Sequence, residues 1–236
     1  MWELSLKIAN IFYEYSVDLL RTIYSHRFSD TAILDSNKHF PYASDFLNNW
    51  VQIRNEALDI ARDLSIVPRF HEIMPQQADI SDYDKRDWRM FIIKAYGVTI
   101  QENSVRCPVL SKLIKTHPEV LSASFSFLAP GKHIPIHRGP FRGITRYYLG
   151  LSVPTGADGL PGTTLTLDGK DYRLGNGDAL LWDDTFEHEV RNETKEVRIA
   201  LLLDVKRKGM PLDMEILSRA LILIAGFAVK LKAHLS

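Results

Sequence analysis

Two segments of the chain concentrate side chains that could hold a metal ion and an anion. The first, APGKHIPIHRGPFRGITRYYLGL, carries His133, His137, Arg138, Arg142 and Arg146. The second, GDALLWDDTFEHEVRNETKEVRIALLLDV, carries Asp183, Asp184, Glu187, His188, Arg191 and Arg198. Neutral imidazole is a good ligand for iron, and two histidines with one carboxylate on a single face of the metal mark non-haem iron oxygenases. One histidine from each segment, His133 or His137 from the first and His188 from the second, would meet if the segments were strands of one barrel. Arg198 lies ten positions beyond His188, inside the apolar run VRIALLLDV. A guanidinium there needs a partner to offset its desolvation. It could take the far carboxylate of 2-oxoglutarate through two parallel hydrogen bonds, or form a buried ion pair with Asp183 or Asp184. Either histidine by itself equally fits a structural or surface role, so spacing alone leaves both readings open.

The elements that must position these residues are short. From Trp88 onward the chain reads as apolar runs: WRMFIIKAYG, SASFSFLA, KHIPIHR, TRYYLGLSVP, GTTLTLDG, KDYRLGN, DALLWDD, EHEVRNET and VRIALLLDVK. Turn signals such as APGK, DGLPG, LDGK, GNGD and NETK separate most of them. Apart from a helix in CPVLSKLIKTHPEV, no helical period intervenes, which predicts antiparallel rather than parallel pairing. A jelly roll, the double-stranded β-helix of cupin-like proteins, suits this pattern because it holds small sites inside an open barrel.

Helices flank this region. Leu4, Ile8, Ile11, Phe12, Tyr15, Leu19 and Leu20 recur at three- and four-residue steps and predict one amphipathic helix. A break at SDTAILDSNKHFPY precedes a second helix, with Ser44 or Asp45 as N-cap and Phe46, Trp50, Ile53, Ala57 and Ile60 on its buried side. The tail PLDMEILSRALILIAGFAVKLKAHLS returns to helix. The expected organisation is α+β and mainly β, in one structural unit: N-terminal helices over 1–87, a jelly-roll core over 88–208 and a C-terminal helix over 209–236.

Composition narrows the partners. The 236 residues carry 29 basic and 29 acidic side chains, so no positive field points to nucleic acid. The single cysteine, Cys107, excludes an intramolecular disulfide and fits a reducing compartment. MWELSLKIANIFYEYSV lacks the layout of a secretory signal, and the apolar run from Ala220 to Val229 falls short of the ~20 residues that cross a bilayer. The expectation is a cytoplasmic protein. Lys230 and Lys232 directly after that run would suit a helix lying on anionic lipid at the inner face of a membrane. The reading favoured is that this helix packs on the sandwich or the N-terminal helices or forms a dimer interface, as an apolar helix usually does, with lipid contact as the alternative.

The combination HRGPFRGITRYYLGL and FEHEV, with Arg198 ten residues beyond its histidine, resembles the aspartyl/asparaginyl β-hydroxylase family, which includes bacterial lipid A hydroxylases. The likeness begins near LNNWVQIRNEAL and covers most of the chain from Cys107 to Val205. It implies a dioxygenase using Fe(II), 2-oxoglutarate and O2 to hydroxylate an unactivated C–H bond. It implies that His137 and His188 bind iron, that Arg198 holds the 2-oxoglutarate C5 carboxylate with help from Ser126, and that Arg146 contacts the cosubstrate or lines its pocket. His133 becomes a supporting or structural residue. Oxygenases of the wider fold carry an acidic residue two positions after the first histidine; here Gly139 stands there, which implies two protein ligands and a water. Asp184 could hold that water, while Glu187 and Glu189 point away from His188 on a regular strand.

The family also bears on the substrate. The main expectation is the β-carbon of an amino acid, whether free, in a peptide or carrier-bound, with Arg138, Arg142 and Tyr148 as candidate substrate contacts. Yet two basic positions that hold an acidic substrate in the animal enzymes are Ser124 and Ile144 here, and a histidine of that motif is Tyr148. The HRGP and RYYLGL wording is closer to the bacterial members, so acyl-chain hydroxylation is the alternative. A jelly roll that binds a small anion or a protein without catalysis is the alternative from another class.

Overall fold

Alternation along one strand organises the whole molecule. On Arg198–Lys206, Ile199, Leu201, Leu203 and Val205 face a helical layer, while Arg198 and Leu202 face an internal cavity. The computed structural model describes residues 2–29 and 31–235, with side chains described between residues 15 and 231. The helices are α1 (Trp2–Arg27), α2 (Ser36–His39), α3 (Ala43–Asn48), α4 (Trp50–Ala61), α5 (Phe70–Ile73), α6 (Ala78–Ser81), α7 (Gln101–Ser104), α8 (Pro108–Thr116) and α9 (Leu212–Leu235). The strands are β1 (Trp88–Ala95), β2 (Val98–Thr99), β3 (Val120–Leu128), β4 (His133–His137) and β5 (Ile144–Ser152). They continue as β6 (Thr163–Leu167), β7 (Lys170–Tyr172), β8 (Ala179–Trp182), β9 (His188–Asn192) and β10 (Arg198–Lys206).

Two antiparallel sheets result, ordered β2-β1-β3-β10-β5-β8 and β4-β9-β6-β7. Strands β3 to β10 alternate between the sheets in pairs, which is the jelly roll that the turn pattern predicts; β1 and β2 extend the larger sheet at the β3 edge. The β6–β7 hairpin turns on Asp168 and Gly169, both at positive φ, as a two-residue turn of primed type requires.

The larger sheet buries its outer face under α3, α4 and α8. Phe46, Ile53, Ala57, Ile60, Leu110 and Ile114 meet Phe91, Phe125, Leu149 and Leu201 in one continuous core. Glu56 on α4 accepts hydrogen bonds from the backbone N–H groups of Val109 at 2.6 Å and Leu110 at 3.2 Å, capping the first turn of α8. The helix expected to start at Ser44 or Asp45 is in fact two helices that break at Asn49. Its N-cap is Tyr42, so both polar residues lie inside the first turn, and Asp45 instead meets His117 at 2.9 Å.

A second cluster joins α1 and α9 to one end of the barrel, through Tyr24, Leu121, Phe141, Ile144 and Met214. The apolar stripe expected on α1 is rotated. Val17 and Tyr24 are buried and Leu20 is half-buried, whereas Tyr15 and Leu19 face out; Leu4, Ile8, Ile11 and Phe12 lie outside the described side chains. One face of α9 packs on the core, as one expectation held, with Met214 and Ser218 buried. Gly226 lies so close to the β1–β2 turn that a Cβ there would sit 2.8 Å from the Tyr96 carbonyl. The opposite face leaves Leu223, Ile224 and Phe227 exposed. Among the described residues no helix is long and apolar enough to cross a membrane.

Phe125 is fully buried between the larger sheet and its helices. Phe125→Ala is expected to lower unfolding free energy by about 3–5 kcal/mol, measured by denaturant titration.

Candidate active site

The β4–β9 register sets His137 directly opposite His188, with ring centroids 4.1 Å apart. Each imidazole is oriented by a backbone carbonyl two residues before it. His137 Nδ1 lies 2.8 Å from the Pro135 oxygen, and His188 Nδ1 lies 2.8 Å from the Phe186 oxygen. A carbonyl only accepts, so each Nδ1 carries the proton and each Nε2 presents a lone pair. Burial pushes the pKa of His137 down to about 4 and that of His188 well below its ordinary value. Both rings are therefore neutral near pH 7, the form that binds a metal.

His133 does not share this face. The register between β4 and β9 shifts between Ile134 and His137, so positions four apart no longer point the same way. His133 Nε2 instead meets Glu189 at 2.7 Å, and Glu189 also takes Arg191 at 2.8 Å. Glu187 reaches the surface, where Arg138 meets it at 3.1 Å.

Gly139 has a steric reason to be glycine. Its N–H donates to the Asp184 carbonyl at 2.6 Å, and a Cβ there would lie 2.3 Å from the Asp184 carboxyl carbon. The space a side chain at position 139 would need is occupied by the Asp184 carboxylate. That group is 1% exposed, and its Oδ1 has no hydrogen-bond partner. Burial raises its pKa to about 6 against the pull of Arg146, whose Nη1 is 3.3 Å from Oδ2. Arg146 gives Nε and Nη2 to Asp204 at 3.0 and 2.9 Å. Burial works against the Arg146 charge, but Asp204 and Asp184 outweigh it and keep the guanidinium protonated. The turn after His137 is held from outside by Arg21 of α1, which donates to the carbonyls of Gly139 at 3.0 Å and Arg138 at 2.7 Å.

Arg198 enters the same cavity from β10. It is 3% exposed, and no carboxylate pairs with it among the described residues. Neither aspartate expected as a structural partner is its partner. Asp183 is taken by Arg142 at 3.0 Å and by Arg207, and Asp184 by Arg146. Arg198 Nη1 lies 3.4 Å from the Ser126 hydroxyl and its Nε has no partner, while burial lowers its pKa. Ser126 Oγ also accepts from Trp88 Nε1 at 3.1 Å. With both lone pairs engaged, the Ser126 proton is left to donate elsewhere.

Of the other residues singled out in sequence, Tyr148 lines the cavity and Arg138 and Arg142 do not. Arg142 is committed to Asp183 and lies over the Phe28 and Phe186 rings. The cavity wall also includes Trp88, Thr163, Tyr172 and Trp182, which the motifs did not flag. Alternation in TTLTL carried the signal for Thr163, since it shares a face with Leu165 and Leu167. Gly139→Ala should lower the melting temperature through overlap with Asp184, by about 1–3 kcal/mol of stability. Adding Asp184→Ala should recover part of that loss in the same thermal melt, a non-additivity that independent sites would not show.

A family model described as aspartyl/asparaginyl beta-hydroxylase matches residues 47–208. An ornithine lipid ester-linked acyl 2-hydroxylase of Rhizobium tropici is 34% identical over 165 residues, covering 70% of this chain and 57% of that protein. The aspartyl/asparaginyl beta-hydroxylase of Homo sapiens is 27% identical over 165 residues, covering 66% of this chain and 20% of that protein. The chain thus spans little more than half the length of the first relative and a fifth of the second. A Thermotoga maritima structure described as a predicted oxalate decarboxylase superposes with a TM-score of 0.34 at 16% identity, covering 54% of this chain and 89% of that one. By the extent of the family match, this chain belongs to the aspartyl/asparaginyl β-hydroxylase family.

Proposed function

We propose that this chain is an iron(II)- and 2-oxoglutarate-dependent hydroxylase and that the C–H bond it oxidises lies on an acyl chain. The cofactor reading is supported by the set of uncommitted polar atoms around one cavity. Two imidazoles present Nε2 at one end, and a guanidinium lacking an acid partner stands toward the other. His188 and Asn192 lie four residues apart on β9, about 13 Å at the usual strand rise, and Asn192 marks the Arg198 end. An extended five-carbon dicarboxylate, together with the arm of Arg198, suits that span. His137 and His188 would hold the iron, and Arg198 with Ser126 would hold the C5 carboxylate. Iron with 2-oxoglutarate would supply the oxidising power that places one atom of O2 in the product alcohol and the other in succinate, with release of CO2.

The protein's own residues orient and enclose. The carbonyls of Pro135 and Phe186 fix both imidazole tautomers, so neither ring has to reorient to bind metal. Asp184, held by Arg146 and packed on Gly139 with its Oδ1 unpartnered, would hold a water in place of a third protein ligand. Trp182, with its ring centroid 4.5 Å from that of His188, would restrict water around the reacting end, and Trp88 and Tyr148 would enclose the Arg198 end.

The single observation that favours an acyl substrate is the commitment of the cations. Arg146 and Arg198 line the cavity; Arg146 is engaged by Asp204 and Asp184, and Arg198 is needed for the cosubstrate. No arginine or lysine among the described cavity residues is left to hold an amino-acid carboxylate, and the remaining wall is largely Ile134, Leu165, Leu174, Val190 and Leu202. Ile144, at a position where the animal enzymes are basic, packs in the apolar cluster with Phe141 and Met214. The similarity to an ornithine lipid acyl hydroxylase points the same way.

Purified protein with iron(II), 2-oxoglutarate and O2 is expected to release succinate in proportion to an acyl lipid that gains one oxygen, both read by mass spectrometry. Oxidation of an aspartyl or asparaginyl peptide with acyl lipids untouched would return the substrate to an amino acid. His137→Ala and His188→Ala should each abolish succinate release without changing the far-ultraviolet circular dichroism. Arg198→Met should raise the apparent KM for 2-oxoglutarate about 10- to 100-fold, the equivalent of losing about 1.5–3 kcal/mol of charge-assisted hydrogen bonding. The same variant should melt no lower than the wild type without ligand, because it removes a buried charge that has no acid partner.

A further inference from the structure

We infer that Thr163 is a further cosubstrate-binding residue, whose hydroxyl donates to the same carboxylate that Arg198 holds; this rests on the 2-oxoglutarate reading above. Thr163 is the first residue of β6, is 6% exposed and lines the cavity. Its Oγ1 is buried and has no hydrogen-bond partner. An unsatisfied buried hydroxyl is destabilising to a protein that keeps it, and an apolar side chain of the same shape would avoid that cost.

Strand register puts this hydroxyl at the Arg198 end of the barrel. Thr163 pairs across β6–β9 with Asn192. The Asn192 side chain donates to the carbonyls of Leu128 at 3.0 Å, Ala129 at 3.0 Å and Glu196 at 2.8 Å, stitching this corner of the smaller sheet to the end of β3. Leu128 is the register partner of Arg198 in the larger sheet. Thr163 and Arg198 therefore project from facing sheets at one end, while the paired histidines lie four residues back along β9. A substrate C–H must approach the histidine end, so the ligand atoms within reach of Thr163 belong to the far end of the cosubstrate.

The stoichiometry of hydrogen bonding agrees. A carboxylate offers about four acceptor sites, and a guanidinium gripping it with two parallel bonds fills about two. Ser126 has a proton left to donate after accepting from Trp88 and Arg198, and Thr163 has an uncommitted hydroxyl. Two hydroxyls and one guanidinium complete the shell of one carboxylate.

The test uses the full chain loaded with manganese(II) and read by calorimetry and thermal melting, with 2-oxoglutarate as the probe. Thr163→Val, close to the same shape, is expected to weaken 2-oxoglutarate binding about tenfold and to shrink the ligand-induced rise in Tm. Without ligand its Tm should equal or exceed that of the wild type, and Thr163→Ser should restore affinity. Binding of a 2-oxo acid without the far carboxylate, such as 2-oxobutyrate, should be the same in wild type and Thr163→Val. Wild-type affinity for 2-oxoglutarate in Thr163→Val would overturn the assignment. So would an affinity loss accompanied by a lowered ligand-free Tm that Thr163→Ser does not repair. A wild-type chain that binds metal but no 2-oxoglutarate would instead overturn the cofactor reading from which this assignment follows.

Discussion

A guanidinium removed from water must be met by negative charge, and the distribution of buried arginines and aspartates turns on this constraint. Asp183 pairs with both Arg142 and Arg207 beneath the 183–188 turn. Asp184 and Asp204 neutralise Arg146 on the cavity wall. Arg198, more than nine-tenths buried on a central strand, meets no carboxylate among the described residues; the Ser126 hydroxyl and carbonyl and the Tyr148 ring lie near it. Three of the four guanidiniums are paired with aspartates, and the fourth has no carboxylate partner among the described residues. Low dielectric makes the difference consequential, because an anion reaching Arg198 gains far more there than at a solvated surface.

The same logic of occupied space explains Gly139. A carboxylate at that position would collide with the one that Asp184 already places there, on the far side of a backbone hydrogen bond between the two residues. The acidic group packed against position 139 thus comes from the second segment rather than the first, and Arg146 holds it there. Arg21 then clamps the 138–139 turn to α1, so the N-terminal helix bears on the geometry of a site to whose cavity none of its described residues contributes.

The eight strands of the jelly roll were legible because turn residues punctuate them and their apolar residues alternate; LDGK even specified its hairpin. Long helices were legible in extent but not in facing. On α1 the buried side follows Val17 and Tyr24 rather than Tyr15 and Leu19, since what counts is where α9 and the barrel end lie. The break at Asn49 was hidden because FLNNWVQI keeps a helical period straight through it. His133 and His137 could not be separated, because a one-residue irregularity in pairing leaves no mark in composition.

What the sequence by itself determined was the set of chemical groups and the strands that carry them: two histidines in two runs, an arginine in an apolar strand, a glycine at the expected acidic position. Family resemblance follows from those local patterns. What only the tertiary structure decided was commitment. Whether Arg198 meets Asp183 or no carboxylate, whether Arg142 faces the cavity or a buried aspartate, and whether Thr163 has a partner all depend on contacts between residues far apart in the chain. Such pairings are set by sheet register and by which face each strand turns inward. Hydrogen bonding and charge neutralisation act over a few ångströms in space, and sequence distance says little about them.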